Sequence, residues 1–115
     1  MRHLKKGRKF SRETGQRRAM LRTLAVSLIS HGRIKTTEAK AKELRPYVER
    51  MVTYAKIGSV AKRRLALSEI GAVPAKKLFE VYGDKYKNQK GGYLRIVKMP
   101  SRIRDAAPQA MIEFV

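Results

Sequence analysis

The chain contains no cysteine. That removes disulfides, thiolate nucleophiles and every zinc-ribbon or zinc-finger ligand set. Tryptophan is also absent, and aromatic residues make up only 7% of the sequence, so reading of unpaired bases by serial stacking is not its main mode of action. Acidic residues are scarce, with nine Asp and Glu against 28 Lys and Arg, leaving a formal net charge of +19. Long apolar runs are missing too. The strongest, Leu24 to Ile29, is far shorter than the roughly 20 residues that span a bilayer. The basic start lacks the apolar run and small-residue cleavage site of a secretory signal, so the expected compartment is the cytoplasm.

What remains is enough for one folded body. The length of 115 residues suits a single domain, and an apolar fraction of 43% supports a modest core. So large a cationic surplus repels itself unless a polyanion neutralises it, and nucleic acid is the expected partner. A lipid surface fits less well, because no amphipathic helix or lipid anchor accompanies the basic N-terminus.

Charge is densest at the front. Between Met1 and Arg22 stand nine cations and one anion, Glu13. The opening MRHLKKGRKFSR has only Leu4 and Phe10 as large apolar side chains. It is therefore read as a basic arm over residues 1–13, ordered on binding, ahead of one compact domain over residues 14–115.

Helical spacing begins near Thr14, with Leu21, Leu24, Ala25 and Leu28 on one stripe and Arg17, Arg18 and Arg22 largely off it. Gly32 suits a left-handed stop, and Arg33 to Thr36 reads as a short extended piece. Thr36 or Thr37 can cap a second helix whose stripe is Leu44, Val48, Met51, Val52 and Ala55. Pro46 lies inside that run and is expected to bend or interrupt it. Ser59 to Ile70 forms a third helix between Gly58 and Gly71. A short fourth helix follows around Pro74, its apolar side made by Leu78, Phe79, Val81 and Tyr82, and it stops before Gly83. Asp84 to Gly92 reads as a loop. Tyr93 to Met99 and Gln109 to Val115 are rich in strand formers. The fold class is thus α/β of the α+β type, about four helices on a small three-stranded mixed sheet.

No constellation for catalysis is present. The sequence has no Walker-type loop, no paired His at metal spacing and no nucleophile elbow. His31 falls at a helix end, where imidazole interacts favourably with the last carbonyls. Glu38 with Lys42, and Glu80 with Lys76, are spaced as solvated ion pairs. The chain is read as a non-enzyme with no cofactor, no metal and no small-molecule substrate.

The RNA-binding candidates are cations. Arg presents a flat fork to phosphate and stacks on bases, which favours Arg8, Arg12, Arg17, Arg18 and Arg22. Arg63 and Arg64 form a second patch, and Lys85, Lys87, Lys90 and Arg95 surround the Gly91-Gly92 pair. A sheet-platform ribonucleoprotein motif and a GXXG clamp are both missing, so shape and phosphate recognition of a folded RNA fit best. A histone-like nucleoid protein, also small and basic, is the main alternative, and cross-linking to RNA or to DNA separates the two. A basic ribonuclease ranks below both for want of a general base and its partner.

The opening MRHLKKGRKFSR, the segment RRAMLRTLAVSLISHGRIKTTEAKAKELRPYVE, the KLF at Lys77 to Phe79, the GGYLRI at Gly91 to Ile96 and the closing AAPQAMIEFV resemble the bacterial large-subunit ribosomal protein L17 family. The likeness covers nearly the whole chain in order. It implies helices packed on a short mixed sheet and a basic extension that threads into large-subunit ribosomal RNA near the outer face of the exit tunnel. Neighbouring ribosomal proteins are the other implied partners, with no membrane span. By position it assigns RNA contact to Arg2, His3, Lys5, Lys6, Arg8, Lys9 and Arg12, then to Arg17, Arg18 and Arg22. The chain departs from the usual family residues at Gln16, Lys90 and Arg104.

Overall fold

The computed structural model describes residues 13–115. Helix α1 spans Thr14–His31 and ends on Gly32, whose φ of 83° is the left-handed turn anticipated there. Strand β1, Arg33–Thr37, leads directly into α2, Glu38–Ile57. The Thr37 side chain caps α2 by accepting a hydrogen bond from the Lys40 N–H at 3.3 Å. Ser59 caps α3, Val60–Ile70, in the same way through the Lys62 N–H.

Two expectations about helices need correction. Of the bend or interruption expected at Pro46, the interruption does not occur: helix α2 continues through it, because packing along both flanking turns outweighs the single lost donor. The fourth helix does not stop at Gly83. Helix α4, Ala72–Lys77, passes into a widened π turn, Leu78–Tyr82, and on into α5, Gly83–Lys85. In the widened turn the Gly83 N–H donates to the Leu78 carbonyl, five residues back. Gly83 is buried against α2, where a Cβ would lie 3.0 Å from the Ala55 carbonyl oxygen. Glycine therefore acts here as a close-approach residue instead of a stop signal. Val81 is exposed, while Leu78, Phe79 and Tyr82 are buried.

The sheet has the order β1-β3-β2, with β2 at Leu94–Met99 and β3 at Gln109–Phe114. Both pairings are antiparallel, so the sheet is not mixed. The loop from Pro100 to Pro108 joins β2 and β3 as a hairpin, and β1 runs opposite to β3 because Thr37 faces Gln109 where the chain turns into α2. Ile34, Ile112 and Ile96 align across the three strands and face the helices. Helix α2 is central, packing on α1, α3, the π turn, α5 and all three strands. Its residues Ala41, Leu44, Tyr47, Val48, Met51, Val52 and Ala55 are buried in one continuous core.

Aromatic rings form one part of that same core. The Tyr82 and Phe114 rings stack with centroids 3.9 Å apart, and Tyr86 and Tyr93 extend the group. The Tyr86 hydroxyl donates to the Val115 carbonyl at 2.7 Å, tying the C-terminal residue to the helix end.

Candidate nucleic-acid interface

Helix α1 delivers the first cationic group. One side of the helix buries Ala25, Leu28 and Ile29, so its 3.6-residue period leaves Arg18 and Arg22 exposed, with Arg22 reaching the Tyr47 hydroxyl, and Arg17 half-buried. The Arg17 guanidinium donates to the Thr14 hydroxyl at 3.1 Å, while its Nε is buried with no hydrogen-bond partner. Among the described residues it is the sole buried side-chain nitrogen or oxygen in that condition.

Across from this face stands the middle of α2. The Tyr47 hydroxyl donates to Glu69 Oε2 at 2.8 Å, bridging α2 to α3. Burial and then the bond to Glu69 push the Tyr47 hydroxyl up to about 12, so the ring carries its proton across the physiological range. The Arg50 guanidinium lies 5.6 Å from the centroid of the Tyr47 ring. Arg17, Arg18, Leu21, Glu43, Tyr47 and Arg50 line a cleft of about 260 Å³ between the two helices.

The other candidates divide by what already holds them. Arg63 rests over the Phe79 ring at 4.9 Å, and both it and Arg64 beside it are exposed. Lys90 is exposed next to Gly91 and Gly92, in a turn fixed from below. Lys56 donates to the Gln89 carbonyl and, at 2.7 Å, to the Tyr93 hydroxyl, and Glu49 accepts from the Tyr93 N–H at 3.1 Å. The Gln89 side chain spans Gly91 and Gly92 by donating to both carbonyls. Arg95 is different, because its Nε and a terminal nitrogen both donate to Glu113 Oε1 across the sheet, at 3.0 and 2.8 Å. Part of its charge is therefore met within the protein. Lys85 lies over the Tyr86 ring at 5.4 Å, and Lys87 is exposed.

Of the two helical ion pairs expected, Glu38 and Lys42 form one at 3.0 Å. Glu80 and Lys76 form none among the described residues. Arg2, His3, Lys5, Lys6, Arg8, Lys9 and Arg12 lie outside the described residues. His31 is exposed at the end of α1.

The loop between β2 and β3 is internally braced. Arg102 forks onto Asp105 with both contacts at 2.9 Å, the Arg102 N–H donates to the Ala107 carbonyl, and the Ala106 N–H donates back to the Arg102 carbonyl. That fork, aided by the Ala107 N–H, holds the Asp105 carboxyl below its ordinary value. Ile103 is wholly exposed at the loop tip.

Sequence reasoning passed over Arg50 and Tyr47. Their signal was present as spacing: Leu44, Tyr47 and Met51 continue one stripe, and Arg50 follows Tyr47 at one turn. Among the described residues, no cluster of acids and histidines could hold a metal, and no helix is long and apolar enough to cross a membrane.

A family model described as ribosomal protein L17 matches residues 20–115. The large ribosomal subunit protein bL17 of Sphingopyxis alaskensis is 53% identical over 116 residues, which covers 100% of this chain and 84% of that protein. The protein of the same name from Rickettsia bellii is also 53% identical, with 82% of its length covered. That from Erythrobacter litoralis is 47% identical, with 83% covered.

Proposed function

The chain belongs to the ribosomal protein L17 family, and from that premise we propose that it is a structural constituent of the large ribosomal subunit that stabilises folded ribosomal RNA by neutralising closely packed phosphates. It is not an enzyme and uses no cofactor. The contacts run from the arm over residues 1–13 onto the compact domain over residues 14–115, through Arg17, Arg18 and Arg22 of α1. Arg63, Arg64 and Lys90 supply secondary contacts. Arg95 contributes less, since Glu113 shares its charge. Neighbouring large-subunit proteins are the other partners, and the position follows the family resemblance, at the outer face around the exit tunnel.

One observation carries this reading: 28 cations face nine acids in 115 residues, and none of the α1 cations Arg17, Arg18 and Arg22 has a salt bridge among the described residues. Each phosphate met by such a side chain releases counterions, which couples affinity to salt. The test is a quantitative sedimentation profile of the full chain in cells, with RNA and DNA cross-linking on the same samples. The expected result is co-sedimentation with large subunits and cross-links to their RNA. A profile dominated by free or DNA-linked protein would overturn it.

A further inference from the structure

We infer that the cleft between the start of α1 and the middle of α2 is a discrete site for an RNA phosphodiester, completed by Arg50. The inference rests on the RNA-binding reading above and specifies one place where a phosphate is held.

Arg17, Arg18 and Arg50 bring three guanidiniums from two helices to one concavity of about 260 Å³. Glu43 is the single acid in the lining, and it already makes an interaction of its own. The cleft is therefore cationic overall. Leu21 and Tyr47 form an apolar floor, which lowers the local dielectric and strengthens a charge-assisted hydrogen bond made above it.

Two further observations point to an occupant. The buried Arg17 Nε has no acceptor. A shielded donor on a charged group is costly until an anion supplies one. Arg50 is also pre-positioned, since its guanidinium lies over the Tyr47 ring and that ring is anchored from behind by the bond to Glu69. Little side-chain freedom is left to lose on binding.

The chemistry favours phosphate over a carboxylate of a neighbouring protein. A carboxylate satisfies one fork, whereas a phosphodiester offers oxygens on several sides to forks arriving from α1 and α2. The cleft also adjoins the first turn of α1, since Thr14 belongs to its lining.

The test uses the full chain and large-subunit ribosomal RNA. Arg50→Ala and Arg50→Lys are compared with the unaltered protein for affinity across a salt series, and arginine reactivity toward phenylglyoxal is mapped with and without RNA. Arg50→Ala is expected to weaken binding roughly tenfold and to make the log–log salt slope shallower by about 0.7 to 0.9. Arg50→Lys keeps the slope and loses part of the affinity, because the charge stays and the fork goes. Arg17 and Arg50 become protected in the complex. Unchanged affinity and slope in a folded Arg50→Ala protein would overturn the site while leaving the RNA-binding reading intact. Should that variant not fold, full phenylglyoxal reactivity of Arg50 in the unaltered complex is equally decisive against the site. Failure of the unaltered protein to bind the RNA would remove the underlying reading instead.

Discussion

Tyr47 couples the packing of two helices to the proposed phosphate site. Its ring is part of the core, its hydroxyl ties α2 to Glu69 of α3, and its outer face carries Arg50. Replacing it with Phe keeps the ring and removes the hydroxyl, leaving Glu69 without that donor. The expected loss is about 1–2 kcal/mol in chemical denaturation. The pH dependence follows from the same environment. With a folded value of about 12 against an ordinary 10, the proton is held more tightly in the folded state. Its stabilising effect is complete below pH 10 and is lost as pH rises from 10 toward 12. Tyr86, also at about 12 through burial, adds to the same decline. Denaturation curves at pH 9 and 11 should therefore differ less for Tyr47→Phe than for the unaltered chain; an identical difference would contradict the assignment. Arg50 and Tyr47 were accessible to periodicity, but which cation a ring holds depends on the second helix opposite. Arg95 teaches the reverse lesson. No acid lies near it in sequence, Asp84 and Asp105 being the nearest, and only the strand register reveals Glu113 beside it.

Elements were legible where local chemistry decides them. Gly32, Thr37, Gly58 and Ser59 mark helix ends because a left-handed residue or a capping oxygen solves a problem confined to one turn. Thr37→Ala should cost about 1 kcal/mol, read as a lowered melting temperature with the native spectrum retained. The α4-to-α5 run was misjudged for a tertiary reason: Gly83 looks like a stop in sequence, yet its missing side chain lets the helix lie against the Ala55 carbonyl. Gly83→Ala is expected to destabilise the protein by about 1–3 kcal/mol, because backbone, not a flexible side chain, fills the space. A gain in stability, as for glycine in an open helix, would show that the close approach is not what selects glycine. The antiparallel sheet was similarly undetermined, since strand positions in sequence do not state pairing. Pro46 belongs here too: its cost is local, and the buried stripe on either side of it holds the helix together.

On the scale of the whole molecule, charge and core are separated along the chain. All buried core residues among those described lie at Ala25 or beyond, and the densest cations precede them. Removing Met1 to Arg12 is therefore expected to leave a cooperatively unfolding domain while cutting RNA affinity sharply, as thermal melts beside binding curves would show. Composition alone points to a polyanion partner, because net charge needs no structure to be counted. The position of the cations relative to one another was not legible, since the α1–α2 cleft exists only once the helices pack.

Most direct is the salt dependence of the purified full chain binding large-subunit ribosomal RNA, measured beside a DNA duplex of equal length. Six to ten phosphate contacts predict a log–log slope of roughly −4 to −9, with the folded RNA bound more tightly than the duplex at every salt concentration. A slope near zero, or equal affinity for the duplex, would contradict the claim that this chain's cations are arranged to neutralise ribosomal RNA.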